Sequence, residues 1–130
     1  MRDAIAALES EGMHHIVLAG LSNGGVGAAR LAPKLRGTID GLVLISGASP
    51  AASPGVPVLV LQGARDAMMP ASVAQSYATA HGGSYVELNG GHFALLLERE
   101  KAMAALGGWL TKLRQSRKPA LAHPSNSASQ

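Results

Sequence analysis

The order of apolar and polar positions divides the chain into alternating strands and helices. Apolar runs bounded by turn-forming residues predict four strands, at residues 16–20, 42–46, 58–63 and 84–88. Apolar residues at helical spacing predict four helices, at residues 2–11, 24–32, 70–80 and 95–113. The first three strands are continuously apolar, which indicates strands covered on both faces, as in a parallel sheet between helices. We therefore predict an α/β fold with a mostly parallel sheet of about four strands flanked by helices.

Helix ends and inner faces follow from the same spacing. Pro33 removes a backbone N–H, so the second helix is expected to end or kink near Ala32. Pro70 suits the first turn of the third helix, where a missing N–H costs nothing. The predicted inner faces are Val73, Tyr77 and Ala80 on the third helix, and Met103, Leu106, Leu110 and Leu113 on the last.

Length and composition predict one domain followed by a short tail. A chain of 130 residues buries about two thirds of its unfolded surface, enough for one core. Residues 1–114 are assigned to the domain, and residues 115–130, rich in Pro, Ser, Ala and Asn, to a disordered tail. The net charge of +3 is concentrated at this end, where no acidic residue follows Glu100 and four positive charges come from Lys112, Arg114, Arg117 and Lys118.

Composition also argues against several classes of function. One Trp, two Tyr and one Phe do not provide the interleaved basic and aromatic positions of a nucleic-acid surface. The absence of Cys rules out thiolate metal sites, and the adjacent His14 and His15 would point to opposite faces of a strand and could not share a metal. The chain begins without a signal-peptide core and has no membrane-spanning run. We expect a soluble, cytoplasmic protein with no nucleic-acid partner.

A serine surrounded by glycines follows the first strand. A dinucleotide-binding loop would need a glycine where Ser22 stands, and Asp40 precedes the next strand instead of following it. A phosphate-binding loop would need a Gly-Lys-Ser/Thr sequence, which does not follow. The segment Gly20-Leu21-Ser22-Asn23-Gly24 instead fits a nucleophile elbow. In this strained strand-to-helix turn, no room is expected for side chains two residues on either side of the serine.

A carboxylate and a histidine are predicted to lie near this serine. Asp66 follows the third strand and His92 follows the fourth, so both are expected at the sheet edge where Ser22 lies. A serine hydroxyl becomes nucleophilic when a histidine takes its proton, and a carboxylate fixes the tautomer of that histidine. Asp66 has an alternative interpretation as a turn or helix-capping acid before Pro70. The chain order Ser, Asp, His favours a triad.

Three segments, IVLAGLSNGG, GARDAMMP and GGHFALL, resemble the nucleophile, acid and histidine segments of the α/β-hydrolase superfamily. The resemblance covers residues 2 to about 113. It implies a triad of Ser22, Asp66 and His92 that acts through an acyl-enzyme, with the N–H of Asn23 as an oxyanion donor. It also implies small-molecule esters or related acyl compounds as substrates, and no cofactor or metal.

The chain departs from this family in one respect. Family members have about eight strands, whereas this sequence predicts only the last four, so it resembles the carboxyl-terminal half of the fold. The family loop that donates a second oxyanion N–H has no counterpart, and losing one donor costs about a hundred- to a thousandfold in rate. The rival hypothesis is a catalytically incomplete fragment or interaction module. The strand at 16–20 would then be an exposed edge, which favours a homodimer or a sticky monomer.

Overall fold

The computed structural model describes residues 1–117 of the chain. Its helices are α1 (Arg2–Ser10), α2 (Asn23–Leu31), α3 (Ala71–Ala80), α4 (Ala94–Leu97) and α5 (Arg99–Arg117), with a 3-10 turn at Ala32–Leu35. Its strands are β1 (Val17–Leu21), β2 (Gly41–Ile45), β3 (Val58–Gly63) and β4 (Ser84–Leu88). The strands form one parallel sheet in the order β1-β2-β3-β4, which confirms the predicted α/β class. Residues 118–130, most of the predicted tail at 115–130, lie outside the described residues.

The central strands are buried on both faces because helices cover each side of the sheet. Successive side chains in a strand point to opposite faces. Leu44 and Val60 accordingly belong to a cluster that includes Tyr77 of α3, whereas Val43 and Leu61 belong to a second cluster. The second cluster is completed by Leu88 and by α5. The continuous apolar character of β2 and β3 is thus explained by two cores, one on each side.

All four strands run in the same direction, so their carboxyl ends meet at one edge of the sheet. In the register, Gly20 of β1 is opposite Leu44, and Gly63 of β3 is opposite Leu88. The loops that follow β1, β3 and β4 therefore leave the sheet at the same edge. These three loops carry the serine, the acid and the histidine that the sequence singles out.

The helical predictions need two corrections. The single helix predicted over 95–113 is broken at Glu98, where φ is −115° and ψ is 44°, and its second part runs to Arg117. The predicted stripe is correct for Leu106 and Leu113, which pack against the core, and wrong for Met103 and Leu110, which are exposed. Ala102 and Trp109 are the buried residues of this helix face. Both sets of residues have helical spacing, so periodicity alone cannot choose between two adjacent stripes.

The other helix boundaries agree more closely with the sequence pattern. Helix α2 ends at Leu31, and Pro33 begins the 3-10 turn that follows, as its missing N–H requires. On α3 the buried residues are Ala74, Tyr77 and Ala78, so Tyr77 was assigned correctly and Ala80 was not. Among residues 1–117 no helix combines the length and the apolar character that a bilayer crossing needs.

Candidate active site

Ser22 occupies the turn between β1 and α2. Its N–H donates to the carbonyl of Ile45 at 2.8 Å, as a strand residue would, whereas its own carbonyl accepts from Gly25 at 2.9 Å, as in a first helical turn. Strand and helix thus meet at one residue, whose backbone is forced to φ 56° and ψ −121°. A non-glycine residue in such a conformation carries about 1 to 3 kcal/mol of strain. Strain of this size persists where the surrounding structure imposes it.

The glycines around Ser22 have different roles. A Cβ added at Gly20 would lie 2.2 Å from the carbonyl oxygen of Gly24, and one added at Gly25 would lie 2.3 Å from that of Gly47. A Cβ added at Gly24 or at Gly27 would meet no atom within 4 Å. The expectation that both flanking glycines exclude a side chain is therefore correct for Gly20 and wrong for Gly24. The carbonyl oxygen of Gly24 is the atom that lies close to Gly20, whereas the position of a Cβ on Gly24 itself is open.

The loop after β2 packs against the turn that contains Ser22. A Cβ added at Gly47 would lie 2.2 Å from the carbonyl oxygen of Ser22. The preceding residue, Ser46, is buried, has a φ of 53° and donates its N–H to the carbonyl of Leu61. The backbone of this loop therefore packs directly against the peptide of Ser22. Sequence reasoning treated the segment only as a loop, and its glycine was the available signal of a close approach.

The structure brings Ser22, His92 and Asp66 together. The Oγ of Ser22 lies 2.8 Å from Nε2 of His92, and Nδ1 of His92 lies 2.8 Å from Oδ2 of Asp66. A carboxylate can only accept, so Nδ1 carries the proton and Nε2 is left to accept the hydroxyl proton of Ser22. The side chain of Asp66 is fully buried and that of His92 is 9% exposed. This arrangement can move a proton from the hydroxyl to the imidazole.

The carboxylate of Asp66 is held by four donors. Its Oδ1 accepts from the backbone N–H groups of Met68 at 2.9 Å and Met69 at 2.8 Å. Its Oδ2 accepts from His92 and, at 3.0 Å, from Nε2 of Gln62. Burial raises the pKa of Asp66, but these hydrogen bonds outweigh it and leave the pKa below its ordinary value. Oδ1 thus accepts the hydrogen bonds of the turn, and Oδ2 accepts the hydrogen bond of the histidine.

Close backbone packing joins the acid loop to the histidine loop. A Cβ added at Gly63 would lie 2.1 Å from the carbonyl oxygen of Gly91, next to His92. The N–H of Arg65 donates to the carbonyl of Gly90 at 2.9 Å, and Gly90 has a φ of 138° that favours glycine. The two loops therefore form one packed unit, which fixes the distance between Asp66 and His92.

Asn23 is the first residue of α2 and is exposed beside Ser22. The first amides of a helix have no acceptor within it, and the helix dipole favours negative charge at this end. Two other histidines make contacts away from this site: His15 is 3.8 Å from Asp40, and His81 contacts the carbonyl of Ala51 at the end of α3. Within residues 1–117 no group of three or more His, Asp and Glu residues could hold a metal ion.

One contributor to the site was missed in the sequence. Gln62 is completely buried, and its amide contacts Asp66. The available signal was a polar side chain at the end of the otherwise apolar run VLVLQG. Buried polar side chains require partners, so an amide at the carboxyl end of a central strand indicates a polar neighbour there.

Solved structures of similar fold include several hydrolases. A hydrolase from Pseudomonas aeruginosa PA01 is 17% identical, with a TM-score of 0.68, and covers 84% of this chain and 69% of its own. An enol-lactonase from Burkholderia xenovorans LB400 is 16% identical, with a TM-score of 0.70, covering 84% and 70%. An α/β hydrolase from the metagenome of lagoon sediments at Mar Chica, Morocco, is 16% identical, with a TM-score of 0.65, covering 85% and 68%.

No protein-family model matches the sequence, and a search of curated proteins finds no significant match. At the identities of the solved structures, the likeness shows a shared fold. The fold that the sequence resemblance implied is therefore confirmed.

Proposed function

We propose that this chain, which has the α/β-hydrolase fold, is a serine hydrolase that cleaves carboxylic esters or related acyl compounds. The observation that carries the proposal is the continuous hydrogen-bond chain from Ser22 through His92 to Asp66. Each of its two contacts is 2.8 Å long, and it begins at a strained strand-to-helix turn. At this turn the hydroxyl of Ser22 lies within hydrogen-bond distance of the imidazole.

The proposed reaction proceeds through an acyl-enzyme. His92 Nε2 takes the proton of Ser22 as Oγ attacks the carbonyl carbon of the substrate and forms a tetrahedral oxyanion. When that intermediate collapses, the bond to the leaving alkoxide breaks and His92 returns the proton to it. Water then attacks the acyl-enzyme with the same assistance and releases the carboxylic acid. Asp66 stays ionised and stabilises the imidazolium in both steps.

The oxyanion is stabilised by the N–H of Asn23 at the start of α2. An amide at a helix N-terminus combines a hydrogen bond with the positive end of the helix dipole. An oxyanion site with one amide in place of two is about a hundred- to a thousandfold slower. We therefore propose slow turnover for residues 1–117 acting with this donor alone.

The substrate is a small molecule with an apolar group next to its carbonyl. Large apolar side chains beside each triad residue are exposed: Leu21 by 56%, Met68 by 65% and Phe93 by 66%. Binding is favoured when a ligand covers such side chains, by about 25 cal/mol per Å² of apolar surface removed from water. The enol-lactonase among the structural neighbours is named for a cyclic ester, which is consistent with this substrate class.

A fluorophosphonate probe tests the nucleophile. It should attach covalently to Ser22 of the wild-type chain, and Ser22→Ala should abolish the labelling. Ser76→Ala, which removes an exposed serine from α3, is the matched control and should be labelled like the wild type. Labelling that persists in Ser22→Ala, with the modified residue located by mass spectrometry, would contradict the assignment.

One observation favours a second candidate function, a catalytically incomplete chain that acts through binding. Within residues 1–117 no strand precedes β1, so the family loop that donates the second oxyanion N–H has no counterpart there. This candidate predicts a folded chain whose Ser22 resists the probe, whereas the hydrolase predicts labelling and slow ester turnover. Circular dichroism run beside the labelling separates the two.

A further inference from the structure

Gln62 is a polar side chain in the buried core of the sheet. It lies near the end of β3, on the same face as Val58 and Val60, and its relative exposure is 0%. An amide taken out of water is unfavourable unless its hydrogen-bonding groups find partners. The partners of Gln62 therefore indicate why an amide occupies this position instead of another aliphatic residue.

Within residues 1–117 the side chain of Gln62 makes its polar contacts through the amide nitrogen. Nε2 lies 3.0 Å from Oδ2 of Asp66, 3.0 Å from the carbonyl of Met69 and 3.4 Å from the carbonyl of Gly63. All three neighbours are acceptors, so the nitrogen and not the oxygen must face them. Within residues 1–117 the oxygen Oε1 has no hydrogen-bond partner. The contacts of the side chain with the acid loop are therefore made by its donor.

The contacts close a ring around the carboxylate. Met69 donates its N–H to Oδ1 of Asp66 and presents its carbonyl to Gln62, and Gln62 donates to Oδ2 of Asp66. Both carboxylate oxygens are thereby fixed relative to the end of β3. Rotation of the carboxylate would break contacts with two different parts of the chain. The oxygen that faces Nδ1 of His92 is held in place by this ring.

We propose that Gln62 is a positioning residue of the triad, which holds Oδ2 of Asp66 against Nδ1 of His92. This inference rests on the proposed hydrolase function. Gln62 acts through Asp66 and does not touch the reacting atoms. Its hydrogen bond also lowers the pKa of Asp66, together with the three other donors.

Gln62→Met removes the donor at nearly constant side-chain length. A hydrogen bond to a charged group contributes enough that its loss should slow labelling at Ser22 by on the order of ten- to a hundredfold. Oδ2 would then carry more uncompensated negative charge next to the imidazole, and the pKa of Asp66 would rise. Both changes favour protonation of the Asp66–His92 pair. The acid limb of the labelling-rate profile should therefore move to higher pH.

Gln62→Glu retains a donor only while the new carboxyl is protonated. In that state its O–H can donate to Oδ2 of Asp66, and when it ionises two carboxylates stand about 3 Å apart and repel. The titratable groups around the position come from four elements: Asp66 and His92 in the loops, Glu87 and Tyr85 on the neighbouring strand β4, where Glu87 is the register partner of Gln62, and Tyr77 on α3. Burial raises the pKa of Tyr77, and burial together with the charge of Glu87 raises the pKa of Tyr85, so both tyrosines stay neutral from pH 5 to 9. Labelling of this variant should fall relative to wild type as the pH rises.

The experiment measures the fluorophosphonate labelling rate at Ser22 from pH 5 to 9 for the wild type and both variants. Gln75→Met, which makes the same change at an exposed site on α3, is the matched control and should follow the wild type. An unshifted acid limb in folded Gln62→Met overturns the inference. If that variant does not fold, the ratio of Gln62→Glu to wild type decides, and a ratio independent of pH overturns it. A wild-type chain that is not labelled at all overturns the hydrolase proposal itself, and this inference with it.

Discussion

Two adjacent glycines in the first turn of α2 should respond in opposite ways to the same substitution. A Cβ at Gly24 meets nothing within 4 Å, whereas one at Gly25 would lie 2.3 Å from the carbonyl oxygen of Gly47. Both changes to Ala gain the same helix propensity, at most about 1 kcal/mol. Only Gly25→Ala forces a backbone group to move, because ordinary contact begins at 3.4 Å. The backbone of Gly47 must then retreat by about an ångström.

The size of the effect follows from this displacement. Overpacking a tightly filled site costs about 1 to 3 kcal/mol, and the equal propensity gains cancel between the two variants. At roughly 4 °C per kcal/mol, the midpoint of unfolding of Gly25→Ala should lie about 4 to 12 °C below that of Gly24→Ala. The retreat also reaches Ser22, because Gly47 packs against the Ser22 carbonyl. A misplacement of about 1 Å costs on the order of a hundredfold in rate.

Thermal unfolding and the fluorophosphonate labelling rate measure the two consequences separately. Gly24→Ala should label like the wild type and unfold at the same or a slightly higher temperature. Gly25→Ala should be slower in labelling and less stable. Equal midpoints and equal labelling rates in the two variants would refute the reasoning, since they would mean that the loop after β2 does not support the serine turn.

Three further results are expected. Asp66→Asn should slow labelling or turnover by on the order of ten-thousandfold, because the amide favours the wrong tautomer of His92. Activity within tenfold of wild type would indicate that Asp66 only stabilises the turn. Because the pKa of Asp66 is lower in the folded than in the unfolded chain, its ionised form stabilises the fold at pH values above the unfolded pKa of about 3.9. This stabilisation is lost as the pH falls through the lower folded pKa. In urea titrations, the stability advantage of wild type over Asp66→Asn should therefore shrink below about pH 4, and a constant difference would contradict this. Among residues 1–117, β1 pairs only with β2, so light scattering should show association that increases with concentration. Ala19→Lys on β1 should reduce this association, and the control Ala104→Lys on α5 should not. A wild type that is monomeric at all concentrations would argue against an exposed edge.

The sequence by itself determined the parts of the fold that depend on local patterns. Continuous apolar runs predict a parallel sheet between helices, with the ends of its strands at one edge. The expected cover on both faces is present at β2 and β3, whereas Ala19 and Leu21 of β1 are exposed. The positions of Ser22, Asp66 and His92 after three of those strands then follow from chain order alone. Their grouping was predictable because parallel strands bring every such loop to the same side. The resemblance to α/β-hydrolases rested on these same segments, and it is confirmed at the level of the fold.

Tertiary structure decided the features that depend on contacts between distant segments. Gly25 must be a glycine because of Gly47, whereas Gly24 has open space, and no local pattern separates the two. In the sequence Gln62 is an unexplained polar residue in an apolar run, and the fold explains it because Asp66 and Met69 accept hydrogen bonds from its side chain. The buried stripe of α5 is likewise chosen by the sheet, since two adjacent stripes have the same period. A sequence records which groups are available along one chain, whereas steric exclusion and hydrogen-bond closure depend on which groups the fold brings within about 3 Å of each other.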